Sequence, residues 1–184
     1  MSTRKARVRF TYRDYSLLPE DKRYELIDGE LYLAPAPGSR HQRCLFRLAR
    51  VLADFVEQHG EGEVFIAPFD VILSDTDVVQ PDVVFISTQR RGIITERGCE
   101  GPPDLVVEVL SRSTRERDIE LKRKLYANYG IQEYWLVDPE AQAIEVLNLG
   151  DVDFVPQQVF TLGSNLTSIT ILPLSVPVEQ VFRS

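Results

Sequence analysis

Cysteine is scarce. The 184 residues hold two, Cys44 and Cys99, and no C-x-x-C pair. Two isolated cysteines cannot build a disulfide framework or a cysteine-paired zinc site, they suit a reducing cytoplasm, and both read as small buried apolar side chains. Long apolar runs are missing too: none approaches the ~18 residues of a membrane-spanning helix. The first residues, Met1-Ser-Thr-Arg-Lys-Ala-Arg-Val-Arg, are basic but lack the apolar segment of a signal peptide. A cytoplasmic protein without membrane contact is therefore expected. No Gly-rich phosphate loop, no Ser-His-Asp or Cys-His arrangement with supporting spacing, no repeat and no low-complexity tract is visible. Positive charge is in the minority, at 21 Lys and Arg against 28 Asp and Glu, a net −7. That balance argues against indiscriminate binding to a polyanion, which needs clustered cations, yet a local basic patch or carboxylates gathered around a metal are compatible with it.

What is present describes an ordinary globular chain, with 43% hydrophobic and 27% charged residues. At about 150 residues per domain the length predicts a single domain over 1–184, with 1–20 as a peripheral N-terminal segment holding at most a short helix. Tyr24-Glu-Leu-Ile and Glu30-Leu-Tyr-Leu flank Asp28-Gly29, a strong two-residue hairpin signal. Leu45, Leu48, Leu52, Phe55 and Val56 recur at helical steps and predict an amphipathic helix over 41–59, with Ser39 as N-cap and Gly60 just past its end. Strands are expected at 64–67, 69–73 and 82–86, a loop over 87–103, and a strand buried on both faces at 105–110. A second helix is expected over 114–129, opened by a Ser113–Glu116 capping box and closed by Gly130. Strands at 133–137 and 143–147, weaker ones near 157–162 and 168–172, and a short C-terminal segment follow. This order predicts an α/β fold with a mixed central sheet flanked by helices.

Glu108 interrupts the apolar run Leu105-Val-Val-Glu-Val-Leu. Two-residue alternation puts Val106, Glu108 and Leu110 on one face and Leu105, Val107 and Val109 on the other. An ionised carboxylate there costs several kcal/mol, by order of magnitude, unless it is paired or bound to metal. The plain alternatives are an exposed strand end or a structural pair with a helix Lys. Asp82 follows Pro81 at the head of another apolar strand, and Asp70 stands on the strand before it. Acids on adjacent strands could converge, and two hard oxygen ligands with waters and a phosphate oxygen make a usual magnesium site. On the second helix Asp118 and Lys122 are four apart and share a face with Tyr126. As a surface pair they would be worth only about 0.3–0.5 kcal/mol, and Arg123 and Lys124 compete for any assignment.

Taken together, Tyr24-Glu-Leu-Ile-Asp-Gly-Glu-Leu, Gln80-Pro-Asp-Val-Val, Asp104-Leu-Val-Val-Glu-Val-Leu-Ser, Asp118 with Lys122, Tyr126 and Gly130, and Glu133-Tyr-Trp-Leu-Val-Asp-Pro resemble the Uma family of restriction-endonuclease-like proteins within the PD-(D/E)XK nuclease superfamily. The blocks run in family order from about 24 to 139. The superfamily's lysine would stand two residues after the glutamate, where this chain has Leu110; the resemblance makes Lys122, on the following helix, its replacement. It implies a restriction-endonuclease-like core and Mg2+-dependent hydrolysis of nucleic acid, in first place DNA, with Mn2+ as a possible substitute. Asp82 and Glu108 would hold the metal, and Lys122 would orient or activate the attacking water. Glu25 would be an extra ligand or orienting residue, and His41, which opens the first helix, either a site residue or one packed under the preceding loop. A homodimer is expected, because two strands need two sites, and Tyr134-Trp135 could serve that contact or the core.

The competing class is a nuclease-fold binding module without efficient cleavage, fed by the net negative charge and the displaced lysine. Arg43, Arg47 and Arg50 on the first helix and Arg90, Arg91, Arg97, Arg112, Arg115 and Arg117 in the loops discriminate. Gathered around Asp82 and Glu108 they favour the nuclease; scattered, they favour the binding module. A metal bound for stability alone ranks last, since it needs no lysine.

Overall fold

The computed structural model describes residues 8–19 and 21–183. Most of the basic N-terminal stretch, residues 1–7, therefore lies outside the described residues. In chain order the elements are α1 (Tyr12–Tyr15), β1 (Arg23–Ile27), β2 (Glu30–Ala34), α2 (Ser39–His59), β3 (Gly62–Ile66), β4 (Asp70–Ser74), β5 (Asp77–Val79) and β6 (Val83–Ser87). A 3-10 turn over Thr88–Ile93 leads to β7 (Ile94–Thr95), β8 (Gly98–Glu100) and β9 (Leu105–Val109). A π-helical segment, Arg117–Lys122, runs into α3 (Arg123–Asn128), followed by β10 (Glu133–Asp138), β11 (Ala143–Leu149), β12 (Phe154–Thr161), β13 (Asn165–Thr167), β14 (Ser175–Pro177) and α4 (Glu179–Phe182).

The central sheet runs β12-β11-β10-β9-β6-β3 and is mixed: β9 and β10 are parallel, the other neighbours antiparallel. Its two faces sort the residues of β9 as alternation predicts. Leu105, Val107 and Val109 pack under α2 and α4, in a cluster with Leu48, Leu52, Trp135 and Val181. Val106 and Leu110 belong to the opposite cluster, with Tyr126, Tyr134 and Leu136. That second face is covered by α3 and by another six-stranded sheet, β2-β1-β5-β4-β8-β7, which the sequence did not announce. Three of its strands have only two or three residues, too short for a readable period.

The β1–β2 hairpin turns through Asp28 and Gly29, both at positive φ, the geometry a two-residue type I′ turn requires. Helix α2 ends on Gly60 in the left-handed conformation. Its N-cap is Gly38 rather than Ser39, which already lies in the helix. The expected loop over 87–103 carries β7 and β8, and β8 pairs in parallel with β4. The expected capping box does not form: the N–H groups of Thr114 and Arg115 both reach Ser111 O, so the helix opens from Ser111, and Ser113 Oγ sits 3.1 Å from Ser111 Oγ. The expected strand at 168–172 is absent because a buried carboxylate captures that segment. Glu133 Oε2 accepts from the Ser168 and Thr170 hydroxyls and from the N–H groups of Ile169 and Thr170. Tyr134 and Trp135 are fully buried, so they are core and not a dimer contact. Cys44 and Cys99 are free and buried, and burial pushes the Cys99 thiol up to about 12. No helix of the described residues is long and apolar enough to cross a membrane.

Asp77 ties the second sheet to the hairpin and to the turn after α3. It accepts the Asp28 N–H at 2.8 Å, the Ser74 hydroxyl at 2.8 Å, the Thr76 hydroxyl at 3.2 Å and the Tyr129 hydroxyl at 2.8 Å. Burial works to raise its pKa, but these donors outweigh burial and hold the carboxyl below its ordinary value. A lowered folded-state pKa means stability that is present above the unfolded value and lost as pH falls through the folded one. Asp77→Ala should cost about 1–2 kcal/mol by leaving part-buried donors unpaired. In urea titrations at pH 7 and pH 3, the wild type should lose part of this advantage at the lower pH, and the variant's pH dependence should be shallower.

Candidate active site

A cavity of about 100 Å³ opens where β1, β9, the π-helical segment and the start of α2 meet. Glu25, His41, Asp82, Glu108, Asp118 and Lys122 all line it. These are six of the seven site residues expected from the sequence. The seventh, Asp70, is in the other sheet, where it accepts hydrogen bonds from Tyr15 and Gln80 and lines a different cavity. The expected neighbouring strands of Asp70 and Asp82 are separated by the short β5, and β4 and β6 belong to different sheets.

Lys122 is the hub. Its Nζ lies 2.7 Å from Glu25 Oε1, 2.8 Å from Glu108 Oε1 and 3.6 Å from Asp118 Oδ1. Lysine and carboxylates are alike buried, at 1–4% exposure. Burial opposes the Lys122 charge, but Glu108, Glu25 and Asp118 together hold its pKa above the ordinary lysine value. Burial, reinforced by the like charges of Asp118, Asp82 and Glu25, drives the Glu108 carboxyl well above the usual range despite the ammonium beside it. Asp118 is raised by burial as well, against the pull of Lys122.

Local structure explains how a helix side chain reaches a strand acid. Tyr134 OH donates to Asp118 O at 2.9 Å, a side chain seated against the backbone where the helix widens into its π segment. Asp118 and Lys122 are the buried residues of that segment, both turned inward, and Tyr126 one turn on donates its hydroxyl to Glu108 Oε1 at 2.7 Å. Burial and the Glu108 charge raise the Tyr126 pKa well above its ordinary value and keep that hydroxyl a donor. Lys124 is exposed and faces a separate surface cavity with Asp28, Asn128 and Tyr129, so of the two lysines only Lys122 lines the carboxylate cavity. Leu110, where the superfamily's lysine would stand, is packed in the apolar cluster.

Asp82 enters from the turn before β6. Val83, the first residue of β6, pairs with Val107, and ahead of it the Asp82 side chain takes over, its Oδ2 accepting the Val109 N–H at 2.7 Å. The same oxygen meets His41 Nε2 at 3.1 Å. The recorded bonds of Asp82 and Glu108 thus fall on one oxygen each, leaving the second oxygen of each for a ligand. Glu25 Oε2, His41 Nδ1, Arg117 Nε and Asp118 Oδ1 are buried without a hydrogen-bond partner among the described residues, and all four residues line this cavity. Among the described residues no three His, Cys, Asp or Glu side chains converge tightly enough to cage a metal ion. The donor set fits a hard cation held by two carboxylates and completed by water and substrate oxygens.

The arginines are dispersed. Arg90, Arg91, Arg112 and Arg115 pair with Asp104, Glu63, Glu140 and Asp138. Arg43, Arg47 and Arg50 line a surface groove on α2 with Phe46. Only Arg117 of the expected set lines the carboxylate cavity, its Nη2 3.4 Å from Glu25 Oε2. Sequence reasoning assigned no role to Arg23 and Gln80, which also line it. Gln80 could have been noticed beside Pro81-Asp82, whereas nothing marks Arg23.

A family model described as "Uma2: Putative restriction endonuclease" matches residues 11–179. Among solved structures, a crystal structure described as a "putative nuclease belonging to DUF820" from Anabaena variabilis ATCC 29413 is similar, with a TM-score of 0.78 and 19% sequence identity over 94% of this chain and 97% of that one. At that identity the likeness shows the fold. A search of curated proteins gave no match.

Removing the ammonium leaves three buried carboxylates facing one another. Lys122→Met should therefore destabilise the fold by about 3–5 kcal/mol in urea titration at pH 7, whereas Tyr126→Phe should cost only about 1 kcal/mol. Equal, small losses for the two would show that Lys122 does not bind the carboxylates together.

Proposed function

The chain belongs to the Uma2 family of "Putative restriction endonuclease" proteins, and on that footing we propose that it is a metal-dependent endonuclease hydrolysing phosphodiester bonds, with DNA as substrate. The observation that supports this reading best is the buried Lys122 ammonium 2.8 Å from Glu108, in one cavity with Asp82. Asp82 and Glu108 would hold a divalent ion through their second oxygens, Mg2+ in first place with Mn2+ as substitute. The chemistry such an ion supplies when bound is polarisation of a phosphate oxygen and a lowered pKa for its water.

The chain's own residues do the rest. Lys122 places a compact cation where negative charge grows on phosphate oxygens, and its three carboxylate partners keep it protonated. His41 and the Val109 N–H fix one oxygen of Asp82 and so aim the other. The Tyr126 hydroxyl does the same for Glu108. Arg117 and Arg23 at the cavity margin supply charge to the phosphate of the approaching strand. Cutting both strands of a duplex requires two such sites, so the acting unit proposed is a homodimer.

A second reading, a nuclease-fold binding module, draws support from the dispersed arginines: four of the expected nine are paired with local acids away from the cavity. Plasmid and single-stranded DNA cleavage with Mg2+ and Mn2+ separates the two. Asp82→Asn and Glu108→Gln should lower the rate by about 10²–10³-fold, and His41→Ala by about 10–100-fold through looser metal binding. Absence of cutting by folded wild type, with no metal uptake on calorimetry, would select the binding module.

A further inference from the structure

A second cavity, of about 450 Å³, lies against the first and takes no part in the chemistry above. Arg23 and Gln80 line both, so the two are separated by little more than these side chains. Gln80 is engaged on each side. Its backbone N–H donates to Glu25 Oε1 at 3.0 Å in the carboxylate cavity. Its amide donates to Asp70 Oδ1 at 2.8 Å and to Tyr15 Oη at 3.2 Å in the larger one, and its carbonyl accepts from Arg23 Nε at 2.9 Å.

Three features of the larger cavity point to one class of ligand. Half-buried aromatic rings line it, Tyr12, Tyr15 and Tyr24. Among its described residues, Lys22, Arg23 and Arg97 outnumber a single carboxylate, Asp70, in a chain whose net charge is −7. Both donors to that carboxylate, Tyr15 Oη at 2.9 Å and the Gln80 amide, meet Oδ1, so Oδ2 is left to accept from a ligand. Aromatic faces, a cation excess and one free carboxylate oxygen suit a nucleotide, and the volume lies within the ~300–1,000 Å³ of small-molecule pockets.

We propose that this cavity is a base-reading subsite: it takes one nucleotide of the strand, with the base against the tyrosines, an exocyclic amino group donating to Asp70 Oδ2, and the phosphate at Arg23 on the border of the carboxylate cavity. The proposal rests on the nucleic-acid reading above and adds where, and by what chemistry, a base is discriminated. A carboxylate only accepts, so adenine, guanine and cytosine, which carry amino donors, are favoured. Thymine offers one ring N–H between two carbonyl oxygens, which the carboxylate repels.

The test is calorimetric binding of dAMP, dGMP, dCMP and TMP to the full chain in EDTA, where metal-dependent cleavage cannot occur. TMP is expected to bind about tenfold more weakly than the other three, the lower end of what one good base contact is worth. Asp70→Asn, whose amide donates to thymine carbonyls, should erase the order. Arg97→Ala should weaken all four alike and keep it. Should Asp70→Asn fail to fold, the wild type decides: the deoxynucleotide of unsubstituted purine, lacking the amino group, should bind about tenfold more weakly than dAMP. Equal binding of all bases, or an order unchanged in Asp70→Asn, overturns the proposal. A base preference without any DNA cleavage keeps the subsite and removes the nuclease reading; cleavage without a preference does the reverse.

Discussion

One buried ammonium holds the site together. Taking Lys122, Glu25, Glu108 and Asp118 out of water costs several kcal/mol per ion, by order of magnitude, and only their mutual contacts offset it. The cluster therefore behaves as a single constraint. Glu25 is fixed by β1 and Glu108 by β9, in different sheets, while Asp118 and Lys122 come from the π-helical segment. Wherever the hairpin, the central sheet and the helix sit, they must bring all three carboxylates to the Lys122 ammonium, at 2.7, 2.8 and 3.6 Å, or leave a charge unpaired in the interior. Salt and solvent screen such a cluster far less than they screen a surface pair.

The same constraint accounts for the displaced lysine. Position 110 shares a face with Glu108, and that face beyond the carboxylate is apolar, closed by Leu125, Tyr126 and Ile131. A lysine there would start from the apolar cluster, whereas Lys122 reaches Glu108 from the π-helical segment, its Nζ 2.8 Å from Oε1. Asp118 and Lys122, four apart, point inward together, and Tyr134 Oη bonds to Asp118 O where the helix widens. The strand keeps a continuous apolar packing surface and the helix supplies the cation.

Glu108 was legible in the sequence because it breaks an apolar run, and its face was legible because strand alternation is regular. The hairpin and α2 were legible for the same reason: Asp28-Gly29 and the helical spacing of leucines are local signals. The choice of Lys122 over Lys124 was only half legible: residues two apart on a helix face opposite ways and Lys122 shares the face of Asp118 and Tyr126, but only tertiary packing shows that this face is the buried one. Asp70 was misplaced because sequence shows that two strands are near in the chain and not that they enter different sheets. The segment 168–172 read as a strand because alternating apolar residues do not reveal that a buried Glu133 will claim its N–H groups. Local pattern carries secondary structure; sheet membership and capture by buried charge are tertiary facts.

The charge balance also becomes intelligible at this level. Arg90, Arg91, Arg112 and Arg115 are held by nearby acids, so they contribute little unopposed field. Arg43, Arg47 and Arg50 stand together on the α2 groove, away from the carboxylates, while at the two cavities the cations are Arg23 and Arg97, with Arg117 held by Glu25 at 3.4 Å. A protein that attracted the polyanion through a broad basic face would gain affinity from many phosphates and lose it steeply with salt. Here few cations are free to meet phosphate near the two cavities. Binding on such a surface draws on fit within the cavities more than on the summed charge of the strand, which is how a chain of net −7 can engage a nucleic acid without a basic face around its site.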